Sequence, residues 1–117
     1  MIGTDVEIAL QVAAKEASLR RHEYFGVEHL LYALLLDSDV AEVIQQCGGS
    51  VKDLKSRLER YLREEVESLA DFELAQPRPT ISVRRAIQRA VLHVQGAQKE
   101  EVKGPNVLVA IFAESDT

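Results

Sequence analysis

The chain has 117 residues, 46% apolar and 28% charged, enough for one domain with a real core and too few to divide comfortably into two. A formal net charge of −5 argues against a nucleic-acid partner, whose phosphates call for Lys and Arg, and Cys47 alone forms no internal disulfide, which suits a reducing cytoplasm. MIGTDVEIAL lacks the regions of a signal peptide and no apolar run is long enough to span a bilayer, so the expectation is a soluble, cytoplasmic, all-α domain built from good helix formers.

Thr4 or Asp5 is placed to cap a first helix whose apolar residues Val6, Leu10, Ala13, Ala14 and Ala17 recur at spacings of three and four. RRHEYFG breaks that pattern. A nearly continuous apolar helix follows over about 27–36, stopped by Asp37, Ser38 and Asp39. Residues 40–46 read as a short third helix closed by Gly48 and Gly49, because glycine takes the left-handed conformation that ends helices. Ser50, with Asp53 three residues on, resembles a capping box for a fourth helix with a buried stripe of Val51, Leu54, Leu58, Tyr61 and Leu62.

An acidic stretch running to Pro77 and then Arg78 and Pro79 cannot continue a helix, so about 64–80 is the linker. Thr80 or Ser82 starts a fifth helix carrying Val83, Ala86, Ile87, Ala90, Val91 and Val94 on one side. A sixth starts at Gly104 and Pro105, since proline suits a first helical turn, and runs to about Ala113.

Adding 77 to each number from 6 to 39 lands on 83 to 116 without a gap. Val6, Leu10, Ala13, Ala14 and Ala17 fall on Val83, Ile87, Ala90, Val91 and Val94, and LLYALL falls on VLVAIF. Gln11 matches Gln88, and Ser38 and Asp39 match Ser115 and Asp116. Two helical units that bury their apolar faces on each other imply a pseudo-twofold bundle. The first unit (about 4–63) continues into two further helices, whereas the second (about 81–117) stops at Thr117. The expectation is therefore a truncated second unit whose sixth helix keeps an exposed face, or one shielded by another copy.

Two stretches, RHEYFGVEHLLYALL and QPRPTISVRRAIQRAVLHVQ with GPNVLVAIFAESD, resemble the Clp N-terminal repeat, and within it the ClpA branch. The resemblance implies a docking domain on an AAA+ unfoldase that receives protein substrates or a ClpS-type adaptor and delivers to the ClpP peptidase. It implies ATP and Mg in modules beyond Thr117, since this chain has no GxxxxGK[ST] phosphate loop. The resemblance also maps adaptor contacts onto Glu23, Glu28 and Thr80. Tyr24 and Phe25 are apolar neighbours suited to supply most of the affinity, because an exposed ion pair contributes only about 0–1 kcal/mol. The insertion of Arg78 and Pro79 before Thr80 departs from the family pattern, as does Gly26 in place of a threonine cap.

No residue is assigned to catalysis, to a cofactor or to a metal. His22 with Glu23 is the one conceivable metal pair, and it has no matched second His. His29 aligns with Asn106 and reads as a polar helix end. No nucleophile elbow orders Ser, His and Asp into a triad. Arg84 and Arg85 sit unfavourably near a helix start, where the dipole disfavours cations, and have the acidic linker or a substrate as prospective partners. The alternative to an unfoldase domain is a free-standing Clp-repeat regulatory protein that sequesters partners, and a reading frame that stops after Thr117 would favour it.

Overall fold

A computed structural model describes residues 2–66, 68, 77–97, 99 and 101–114. The expected residues 64–80 linker therefore lies largely outside the described residues. The described elements are helices α1 (Thr4–Leu19), α2 (Val27–Leu34), α3 (Ser38–Gln46), α4 (Val51–Glu64), α5 (Ile81–Gly96) and α6 (Gly104–Glu114), with short strands β1 (Tyr24–Phe25) and β2 (Arg78–Pro79). The architecture is all-α, as the periodicity requires. Six helices start close to where the apolar pattern places them.

Helix α1 buries Val6, Ala9, Ala13 and Ala17, and α5 buries Val83, Ala86, Ala90 and Val94, at the equivalent positions. Small alanines on these stripes let α1 approach α2 and α5 approach α6 closely. Helices α2 and α6 form the centre: α2 packs on α1, α4, α5 and α6, and α6 packs on α1, α2, α3 and α5. Their Leu30, Leu34 and Val107 are fully buried.

The repeat extends beyond the apolar pattern into the backbone. Helices α1 and α5 begin and end at equivalent residues, as do the starts of α2 and α6. Phe25 pairs in parallel with Pro79, and Val102, the counterpart of Phe25, pairs with Ile2, the counterpart of Pro79. The bonds match as well: Thr80 N–H donates to the Phe25 carbonyl at 3.0 Å, and Gly3 N–H to the Val102 carbonyl at 2.9 Å. Each unit thus clasps the segment leading into the other unit's first helix. This is a pseudo-twofold exchange that side-chain similarity could not have revealed.

Four sequence expectations are corrected. Gly3, not Thr4 or Asp5, is the α1 N-cap, because the chain is still extended there and Thr4 is already helical. The third helix starts at Ser38 rather than 40, since the Asp37 carboxylate accepts Asp39 N–H at 2.8 Å and caps it. Tyr61 leaves the buried stripe of α4: it is 40% exposed while Leu58 and Leu62 are buried. Ser50 does cap α4, accepting Asp53 N–H at 3.1 Å, but the Asp53 carboxylate pairs with Arg57 instead of reaching back.

Helix α3 ends in a Schellman turn in which Gly48 N–H reaches the Gln45 carbonyl and Gly49 N–H the Ile44 carbonyl. Gly48 has φ +86° and open space where a side chain would go. Gly48→Ala should therefore cost about 1–2 kcal/mol from backbone strain alone. Urea unfolding of the variant at neutral pH measures this, and an unchanged midpoint would contradict it.

Candidate protein-docking site

Helix α1 also closes in a Schellman turn. Arg21 N–H bonds the Ser18 carbonyl at 3.0 Å and His22 N–H the Ala17 carbonyl at 2.8 Å. Arg21 takes the left-handed conformation at φ 59°, uncommon for a residue with a side chain. The sharp turn sends His22 inward, where it is 2% exposed, and leaves Glu23 outside. His22 and Glu23 thus point apart and do not make the metal pair that their adjacency allowed.

His22 Nδ1 lies 2.8 Å from His29 Nε2, with the rings edge to face. His29 Nδ1 accepts Gly26 N–H at 2.9 Å, so its proton sits on Nε2 and is donated to His22 Nδ1. His22 in turn bonds the Leu62 backbone, through its remaining N–H to the carbonyl. Both imidazoles are neutral in this relay. Burial, then the neighbouring His22 ring and the Arg20 charge, hold His29 down to about 4, and burial followed by Arg20 also lowers His22. The relay ties the end of α1, the start of α2 and the end of α4 together, and it fixes both ends of the loop that carries Glu23 and Tyr24. In the second unit Asn106 does the same capping task, its Oδ1 accepting Lys103 N–H at 2.9 Å. The expectation of a polar helix-end role for His29 matches this geometry, whereas its bond to His22 had no signal in the sequence.

Around this loop the structure gathers four of the five residues singled out from sequence. Glu23 is exposed, Tyr24 is 47% exposed, and Glu28 and Thr80 are half-buried. Thr80 caps α5, accepting Val83 N–H at 3.3 Å, and lies beside Gly26, as does Glu28. Arg78 and Pro79 pair in register with Tyr24 and Phe25, and that pairing is what brings Thr80 alongside. Phe25 is the correction. It is 6% exposed because alternation along β1 turns it into the core, so it supports the face from beneath and cannot touch a partner.

Residues that sequence reading assigned elsewhere also join this face. The Glu28 charge, with some burial, pushes the Tyr61 hydroxyl up from its ordinary range, so Tyr61 of α4 lies within electrostatic reach of Glu28. On the other side, Tyr24, Arg78, Thr80, Ile81 and Arg84 line an open cleft of about 410 Å³. The face is acidic at Glu23 and Glu28, aromatic at Tyr24 and Tyr61, and basic at Arg78 and Arg84. Such a mosaic suits protein recognition through aromatic anchors with a charged rim. No described helix is long and apolar enough to cross a membrane.

The model of the Clp repeat (R) N-terminal domain matches residues 1–117. The chain belongs to the Clp repeat N-terminal domain family. A ClpA homolog protein from Fuscovulum blasticum is 41% identical over 113 residues, covering 96% of this chain and 14% of that protein. The chain thus spans a small part of the curated relative it matches. Among solved structures, the N-domain of ClpV from Vibrio cholerae superposes with a TM-score of 0.82 at 22% identity, over 98% of this chain and 68% of that one. The Hsp104 N-terminal domain from Candida albicans gives 0.87 at 14% identity, over 98% and 75%. A complex of the ClpV N-domain with a VipB peptide gives 0.82 at 22% identity, over 98% and 69%. These structures share the Clp N-domain fold described above.

Helix α6 leaves Val109 at 67% and Phe112 at 55% exposure. Their counterparts in α2, Tyr32 and Leu35, lie in the first unit where α4 packs on α2, with Leu35 at 7% exposure and the Tyr32 hydroxyl donating to Glu59 at 3.1 Å. The asymmetry arises because α3 and α4 have no equivalent among the described residues of the second unit.

Proposed function

We propose that this domain docks proteins for a ClpA-type AAA+ unfoldase, taking a ClpS-type adaptor and protein substrates on the face built by Glu23, Tyr24, Glu28 and Thr80. The supporting observation is that Thr80, distant in sequence, joins Glu23, Tyr24 and Glu28 on one surface around the histidine relay. The 41% identity to a ClpA homolog favours the ClpA branch, and the ClpV N-domain, of the same fold, holds a peptide. In this reading the ATP, the Mg and the route to ClpP belong to further modules of a longer protein, and the domain works in the cytoplasm without chemistry of its own.

Physically, Tyr24 and Tyr61 supply buried contact area and the two glutamates set orientation against basic or amide donors on the partner. Titrating a ClpS protein into the domain should give saturable binding. Reversing both Glu23 and Glu28 to Lys is expected to weaken it by roughly tenfold or more, through lost pairing and new like-charge repulsion. Both residues are on the surface or half-buried, so the thermal midpoint of the double variant should stay close to that of the parent. Unchanged affinity in the reversed protein would refute this interface.

A further inference from the structure

We propose that the cleft bounded by Tyr24, Arg78, Ile81 and Arg84 takes an acidic segment of a docked protein, one in which carboxylates flank an apolar or aromatic side chain. The proposal rests on the reading of this face as a protein-docking surface, and not on the identity of the adaptor. Arg78 comes from β2 and Arg84 from α5, so two elements bring their cations to one opening. No carboxylate lines that opening. Among the described residues, neither arginine is in an ion pair.

The pseudo-twofold shows that the fold itself does not ask for these side chains. The same backbone clasp recurs where Ile2 meets Val102, and there the positions of Tyr24, Ile81 and Arg84 are held by Glu101, Thr4 and Glu7. All six side chains are exposed, and Glu101 lies against Gly3, the counterpart of Thr80. Thr4 and Glu7 suit a helix start, where the dipole favours a carboxylate. Arg84 at the same place in α5 works against the dipole. Helix α5 has no acidic residue in its first turn, whereas α1, α2, α3 and α4 each have at least one. Ile81 is 66% exposed where the first unit carries a hydroxyl. One clasp thus presents an acidic and polar surface that water satisfies. The other presents an aromatic ring, an aliphatic side chain and two cations without a carboxylate partner among the described residues.

Complementarity then selects the occupant. Guanidinium groups pair with carboxylates through two parallel bonds, and the pairing strengthens where water is partly excluded. Ile81 and the Tyr24 ring exclude water once an apolar side chain rests on them. A nucleic acid fits less well, because the net charge of −5, with Glu23 adjoining Tyr24 in the chain, repels phosphates beyond the opening itself.

The test uses two short fluorescein-labelled peptides, one with Phe and Leu flanked by glutamates and a twin with lysines in place of the glutamates. Anisotropy titrations against the whole chain should show the glutamate probe bound roughly tenfold tighter than its twin. Arg84→Glu and Ile81→Thr install the residues that the first unit carries at equivalent places, so both variants should keep the thermal midpoint of the parent. Arg84→Glu should weaken the glutamate probe by roughly tenfold, and Ile81→Thr by about threefold. Arg85→Glu makes the same change of net charge on a side chain that lines a different cleft, with Leu92 and Glu114, and should leave affinity within about twofold. Equal binding of the two probes, or equal losses in Arg84→Glu and Arg85→Glu, would overturn the proposal. Displacement of the probe by a thymidine oligonucleotide as readily as by unlabelled peptide would overturn it too. A probe that binds only after Glu67→Gln, Asp71→Asn and Glu73→Gln are introduced would give the cleft to the chain's own acidic segment, with the same consequence. The adaptor and the cleft fail separately. If ClpS does not bind while the probe keeps its dependence on Arg84 and Ile81, the cleft stands without that adaptor; if ClpS binds through Glu23 and Glu28 while neither probe binds, the cleft alone is refuted.

Discussion

Acidification from pH 7 to pH 5 is expected to weaken folding by about 2 kcal/mol through His29 alone. In the unfolded chain this imidazole takes its proton near the ordinary 6.5, whereas in the folded domain it stays neutral until about 4. The unfolded state therefore binds more protons between those values. The contribution is fully present above pH 6.5 and is lost as the pH falls toward 4. The lowered His22 adds in the same direction, for the same reason.

The geometry explains why the folded state resists the proton. His29 Nδ1 is occupied as the acceptor of Gly26 N–H, and His22 Nδ1 is occupied by His29 Nε2–H, so protonating either ring sets two donors against each other. His29→Asn is the informative variant, because Asn106 performs the same capping role at the equivalent place. At pH 7 it should be less stable than the parent by about 1–3 kcal/mol, since His22 loses its partner in the interior. Its stability should also fall less steeply between pH 7 and pH 5. Urea unfolding of both proteins at several pH values measures the difference, and parallel pH profiles would remove the relay from the account. The effect matters for function because the same relay anchors the loop bearing Glu23 and Tyr24.

Leu34→Ala should cost more than any surface change, about 2–5 kcal/mol. Leu34 is fully buried in α2, where both units meet, so truncation loses its transfer free energy and leaves a cavity that surrounding helices fill only in part. Against a domain stability of about 5–15 kcal/mol, a loss of that size brings the protein toward partial unfolding at 37 °C. Val109→Ala, at a position 67% exposed on α6, should change stability by no more than about 0.5 kcal/mol. Thermal and urea midpoints of the two variants decide the matter. Similar losses in both would mean that α6 is covered in solution as fully as α2.

The helices, their order and the internal repeat were legible in the sequence because local rules set them. Apolar spacing of three and four fixed the buried stripes of α1 and α5, Ser50, Gly48 and Pro105 marked ends, and an offset of 77 aligned the two units. Charges such as Glu23 and Glu28 were singled out through family resemblance, since nothing in periodicity distinguishes one surface glutamate from another.

Only the tertiary structure could decide what depends on residues meeting across the chain. Phe25 and Tyr24 are neighbours in sequence, yet β pairing with Arg78 and Pro79 sends one into the core and the other to the surface. Tyr61 reads as part of a buried stripe until the tertiary structure leaves it 40% exposed, within electrostatic reach of Glu28. His22 and His29 form a bond because the left-handed turn at Arg21 sends His22 inward, where the start of α2 brings His29, and no helical spacing encodes that meeting. The equal and opposite clasp of Phe25 on Pro79 and of Val102 on Ile2 is likewise backbone to backbone, which is why side-chain identities carried no trace of it.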